Sequence, residues 1–136
     1  MITNFEEWTP GFNPNHKQVV LWMEEYFSGT KGNRVPTKDK PVTGPKLCEG
    51  IQKRLGFKSF SEVELRSCVA QVRQRANIAL GSGGRGYFRI ETPEELALQI
   101  KSLEERADSI QAAARALRRL DPSQLKKNNL FDNLFR

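Results

Sequence analysis

The stretch Ala79–Phe88, "ALGSGGRGYF", decides how this chain is read, because Gly81, Gly83 and Gly86 spell G-x-G-x-x-G. That pattern cradles a nucleotide phosphate where a strand leads in and a helix leads out, so that the helix N-terminus faces the anion. Here the glycines run into "YFRIE" at 87–91, a short apolar run that predicts a strand rather than a helix. A kinase-type glycine loop does lie between strands, but it needs H-R-D and D-F-G motifs that this chain lacks. The two apolar runs, Asn77–Leu80 and Tyr87–Ile90, therefore predict a β-hairpin. Gly81–Gly86 would be its flexible tip, with Arg85 as the charged side chain there.

Working upstream, the segment "FSEVEL" at 60–65 predicts a helix start. Ser61 at the N-cap and Glu64 at N3 form a capping box, and Phe60 with Leu65 a hydrophobic staple. The helix is expected over Ser61–Ala76, with Leu65, Val69, Val72 and Ala76 inward and Arg66, Ser67, Ala70, Gln71, Arg73 and Gln74 outward. An earlier helix is expected from Gly44-Pro45, capped by Thr43 or Gly44, with Leu47, Ile51 and Leu55 buried and Gly56 as terminator. A first helix over His16–Ser28 buries Val19, Val20, Met23, Tyr26 and Phe27 and ends at Gly29. Residues 29–43 read as a basic loop, and residues 1–14 as an irregular arm carrying Phe5, Trp8 and Phe12.

Downstream, Thr92 as cap, Pro93 at N1 and Glu95 at N3 open a last helix reaching to about Leu120, before Asp121-Pro122. Within it Leu96, Ile100, Leu103, Ala107, Ile110, Ala114 and Leu117 repeat at alternating spacings of four and three, a heptad seam. The seam needs a cover, either the first helix or a second copy of the chain. In the homodimer reading Ile100, Leu103, Ala107 and Ile110 meet their copies. Residues 121–136 form a polar tail with the pairs Leu130-Phe131 and Leu134-Phe135, a candidate docking segment for a protein partner. Its "DNLF" is similar to the bacterial sliding-clamp binding motif, with Phe131 standing where that motif has Gln.

The chain has 136 residues, enough for one modest core. Its net charge of +6 is unevenly spread. Residues 29–90 carry thirteen Lys or Arg against four acids, a net of +9, while residues 1–28 are acidic and residues 91–136 balance. A localised basic segment is the electrostatic footprint of a phosphate-backbone partner. Cys48 and Cys68 make no disulfide framework and point to a reducing cytoplasm, as small buried groups between helices. Two Cys and the single His16 cannot supply a tetrahedral zinc site, and no cofactor or metal is expected. No apolar run approaches a membrane span. His16 has no triad partners at motif distance, so no enzyme is expected.

The element order, with "VTGPKLCEGIQKRLGFKSFSEVELRSCVAQVRQR" at 42–75 and "IALGSGGRGYFRIETPEEL" at 78–96, resembles small winged helix-turn-helix proteins of bacteriophages and prophages. The resemblance covers residues 15–91 and implies a mainly α fold with a small β-hairpin, a winged helix-turn-helix followed by a long helix over 92–120. It also implies duplex DNA as partner, in the cytoplasm of a bacterial host, and a role in phage regulation or replication. The helix over 61–76 would enter the major groove, and the hairpin would touch backbone or minor groove. Arg66, Gln71, Arg73 and Gln74 suit base edges, Ser67 a base or phosphate, and Lys46, Lys58 and Arg85 the backbone. The alternative is a module that binds and modulates a host protein, its basic face meeting an acidic surface.

Overall fold

The computed structural model describes residues 8–127, in two compact units, Met1–Gln99 and Ile100–Arg136. Phe5 and the Leu-Phe pairs of the tail lie outside the described residues. The chain is mainly helical with one small two-stranded antiparallel hairpin.

In the first unit, α1 (Lys17–Ser28) follows a 3-10 turn at Pro14–His16 and ends at Gly29 in the left-handed region. Helix α2 (Gly44–Leu55) is capped by the Thr43 hydroxyl, which accepts from the Lys46 N–H. Helix α3 (Glu62–Arg75) has the full capping box: the Ser61 hydroxyl accepts from the Glu64 N–H, and Glu64 accepts from the Ser61 N–H at 3.0 Å. Orphan amides at the helix start are thereby satisfied from side chains one turn apart. The inward stripes meet in one core, where Val19, Val20, Met23 and Phe27 pack with Leu47, Ile51, Leu65, Val69, Val72 and Leu80. Truncating any fully buried large member of such a core costs about 2–5 kcal/mol. Cys48 and Cys68 are both buried there.

His16 is buried beside this core. Its ring lies between Phe12, Phe57 and Phe60, and its Nε2 is 3.1 Å from the Glu64 carboxylate. Hydrogen bonding from the Ser61 amide first, then from its hydroxyl, and then the nearby His16 hold the Glu64 carboxyl below the usual carboxylate range.

The hairpin is tighter than the sequence predicts. Strands β1 (Leu80–Gly83) and β2 (Gly86–Arg89) pair from Leu80↔Arg89 to Gly83↔Gly86, so only Gly84-Arg85 is turn. Two of the three glycines have packing reasons. At Gly81 an added Cβ would lie 2.6 Å from the Phe88 ring on the facing strand, so the bare backbone lets that ring fold across the ladder. Gly86 has φ +135, and a Cβ there would fall on the Val42 carbonyl. Glycine tolerates both the conformation and the close approach.

That approach exists because part of the 29–43 loop is ordered along the outer edge of β2. Val42 and Tyr87 exchange both backbone hydrogen bonds, at 2.9 and 2.8 Å, and Arg89 N–H donates to the Pro36 carbonyl at 2.9 Å. A three-segment backbone layer results, joining the segment before α2 to the hairpin after α3. Helix α4 (Pro93–Arg118) begins in this unit, where Gln99 is buried and its carbonyl oxygen accepts the Ser82 N–H at 3.0 Å.

In the second unit α4 continues to Arg118 and is followed by a short helix α5 (Pro122–Lys127). Ile100, Ile110 and Leu117 of the seam are exposed, Ile110 and Leu117 at 70% and 66%. Ala107 is exposed, and Leu103 is partly buried.

Candidate nucleic-acid interface

The outward face of α3 divides into a free half and a tied half. Arg66, Ser67 and Ala70 are exposed, and Arg66 has no ion-pair partner among the described residues. Val63, one turn earlier, is 66% exposed despite its apolar side chain. Burial pushes the Tyr87 hydroxyl up, and the Arg66 and Arg73 guanidiniums pull it back.

The C-terminal half differs from the expectation. Gln71 is only 2% exposed, and its Oε1 accepts the Thr9 N–H at 2.9 Å. The expected outward placement of Gln71 is therefore corrected. The reason is the arm, which returns against α3 and turns a polar surface position into a buried one. The Thr9 hydroxyl also donates to the Gln74 carbonyl oxygen, so Gln74 is exposed but partly engaged. Arg73 is engaged likewise: its Nε donates to the Leu80 carbonyl at 3.1 Å and its Nη2 to the Ser82 hydroxyl at 2.8 Å. It braces the hairpin against α3. Arg75 stacks on the Trp8 ring at 4.5 Å and forms a buried ion pair with Glu24 at 2.7 Å.

The arm residues Thr9–Phe12 and the α3 residues Ser67, Ala70, Gln71 and Gln74 border a shallow cleft of about 240 Å³. The arm therefore forms one wall of the α3 face, a role that charge and periodicity did not indicate. The only sequence signal was Trp8 and Phe12, now seen stacked with ring centroids 5.6 Å apart.

The remaining cations are spread over loop, helix and hairpin. Lys58 is exposed just ahead of α3, and its carbonyl accepts from Gln52 Nε2 at 3.3 Å. Arg85 sits exposed in the hairpin turn, with Nη2 3.5 Å from the Asp39 carbonyl oxygen. Lys46 lines a separate cleft of about 400 Å³ with Trp22, Tyr26, Lys31 and Arg54 between α1 and α2. Lys38, Lys40, Lys58 and Arg66 make no ion pair among the described residues, whereas Lys31, Lys53 and Arg89 each meet a glutamate. The basic segment is thus partly internal scaffolding and partly free charge.

Among the described residues no group of three or more His, Cys, Asp or Glu is placed to hold a metal ion. No helix among them is long and apolar enough to cross a membrane. No protein-family model, curated protein or solved structure matches the chain.

Proposed function

We propose that this protein binds duplex DNA as a non-enzymatic winged helix-turn-helix module, with the N-terminal half of α3 in the major groove. The observation that carries the reading is the N-terminal half of α3: Arg66 exposed with no ion pair among the described residues, Ser67 beside it, on a helix fixed by a capping box and a buried stripe. An exposed Arg on a rigid helix suits bidentate pairing with guanine, and Val63 offers an apolar contact for a thymine methyl. The pairing of Val42 with Tyr87 supports the winged reading, because it locks the hairpin to the backbone leading into α2. Lys58 before α3 and Arg85 in the turn then serve phosphates on either side. Within this reading the resemblance to phage proteins favours a regulator or replication accessory in a bacterial cytoplasm.

The test is binding to fluorescent random-sequence duplex across a salt series, followed by selection of preferred sequences. Affinity should fall by orders of magnitude between about 50 and 200 mM salt, since several cations displace condensed counterions. Absence of binding at low salt, or a flat response, would reject DNA in favour of an acidic protein surface as the partner.

A further inference from the structure

We infer that two copies of the chain pair through α4 in antiparallel orientation, in the register that sets Ile110 against the partner's Ala107. The pairing stands on α4 alone and does not depend on the DNA reading.

The seam from Ile100 to Leu117 holds six core positions, of which Ala107 and Ala114 are small and Ile100, Leu103, Ile110 and Leu117 are large. Ile100, Ile110 and Leu117 are exposed in the single chain. In a parallel pair each position meets its own copy. Two layers would then be Ala on Ala between layers of Leu and Ile, and the large layers would hold the helices too far apart for the alanines to touch. An antiparallel pair instead sets each a position against a d position of the partner. With Ile110 opposite Ala107, Leu103 falls opposite Ala114 and Ile100 opposite Leu117. No Ala–Ala layer remains, and every small side chain faces a large one. Close packing without voids favours that arrangement.

Charge gives an independent reason for the same direction. Residues 91–108 carry six acids against two bases, whereas residues 109–119 carry three arginines and no acid. Parallel pairing sets acidic half beside acidic half and basic beside basic. Antiparallel pairing sets the Arg115–Arg119 end beside the partner's acidic half. On the seam's flank Arg118 then lies five residues, about 7.5 Å along the axis, from the partner's Glu104. Helical side chains lean toward their own N-termini, and so these two lean toward each other. A parallel pair would set Arg118 by Ala113 and Glu104 by Gln99. Opposite charges on the flanks of a coil select partner direction.

Cross-linking decides the orientation. In the proposed register Leu103 abuts the partner's Ala114, while the two copies of Leu103 lie about 16 Å apart along the axis at about 1.5 Å per residue. A disulfide needs Cα atoms within roughly 7 Å. Leu103→Cys and Ala114→Cys proteins, prepared separately with Cys48 and Cys68 left in place, are placed in a glutathione redox buffer alone and mixed. The mixture should yield a covalent heterodimer as its main cross-linked product, identified by intact mass, and neither protein alone should cross-link. Self-cross-linking of each single variant would establish a parallel pair and overturn the inference. Sedimentation equilibrium on the unsubstituted chain supplies the second reading. A monomer at tens of micromolar, or a dimer whose mixture does not cross-link, overturns it as well.

Discussion

Gly86 is where the backbone layer that positions the hairpin is most exposed to a single-atom perturbation. Its φ of +135 lies where side chains are rarely accommodated, and the added methyl of Gly86→Ala would also meet the Val42 backbone, 2.7 Å from its carbonyl carbon. Neither problem can be solved by moving a flexible side chain. The conformational strain is of order 1–3 kcal/mol. Relief by lifting residues 36–42 away from β2 would sacrifice the two Val42–Tyr87 hydrogen bonds, each worth about 0.5–1.5 kcal/mol net. A combined loss of about 2–6 kcal/mol follows for the first unit. For a domain of this size each kcal/mol moves the thermal midpoint by roughly 4–8 °C, so the midpoint should drop by roughly 10 °C or more.

Gly84→Ala supplies the control, two residues away in the same turn. A Cβ at Gly84 meets nothing within 4 Å, and loss of unfolded-chain freedom should leave the variant within about 1 kcal/mol of the parent or slightly above it. Thermal melts by circular dichroism at 222 nm, with tryptophan fluorescence from Trp8 and Trp22 as a second probe, measure both. Equal midpoints for Gly86→Ala and Gly84→Ala would refute the claim that residues 36–42 are locked onto the hairpin.

Other outcomes follow from particular contacts. Arg66→Ala should change the preferred DNA sequence at one base pair, costing about 1–3 kcal/mol there, whereas Arg85→Ala should weaken all duplexes alike in competition assays. Arg75→Ala should destabilise the fold by about 3 kcal/mol in urea titrations, because it leaves the buried Glu24 carboxylate without its cation. Burial, then the Glu64 charge, pushes the Cys68 thiol up to about 12, and burial raises Cys48 too. Iodoacetamide at pH 8 should therefore label neither thiol until denaturant unfolds the chain, and rapid native labelling would contradict the core placement. The Glu64 carboxyl titrates lower folded than unfolded, so its stabilisation is present above the unfolded pKa and lost as pH falls through the folded one. The stability gap between the parent and Glu64→Gln should accordingly narrow in acid, as read by urea midpoints over a pH series.

What the sequence disclosed and what it concealed follow from the range of the forces concerned. Helix boundaries were legible because their causes are local: Ser61 caps Glu64 three residues on, Thr43 caps Lys46, and Gly29 ends α1. The heptad spacing of α4 is equally local, and the structure leaves much of that seam uncovered. The hairpin was found but its tip was overdrawn. A run of glycines looks like loop until Phe88 is seen folding over Gly81 and Val42 bridging beside Gly86. The edge pairing of Val42 with Tyr87 spans a long stretch of chain, and nothing in the basic composition of residues 29–43 marks it.

Gln71 carries the same lesson into the candidate site. Helical spacing put it outward with Arg66 and Gln74, and its chemistry suited adenine. The arm then contributes a backbone N–H from Thr9, 62 residues away, which donates to the buried carbonyl oxygen. A polar side chain tied by a distant donor is indistinguishable in sequence from one turned to solvent, since both satisfy the residue's hydrogen-bonding capacity. The consequence for recognition is directional. With Gln71 and Arg73 holding the arm and hairpin to α3, the proposed base-reading surface contracts toward Val63, Arg66 and Ser67. If the protein binds duplex DNA as proposed, specificity should be narrow in span, with Arg66→Ala changing the selected sequence most and Lys58→Ala and Arg85→Ala weakening all duplexes alike.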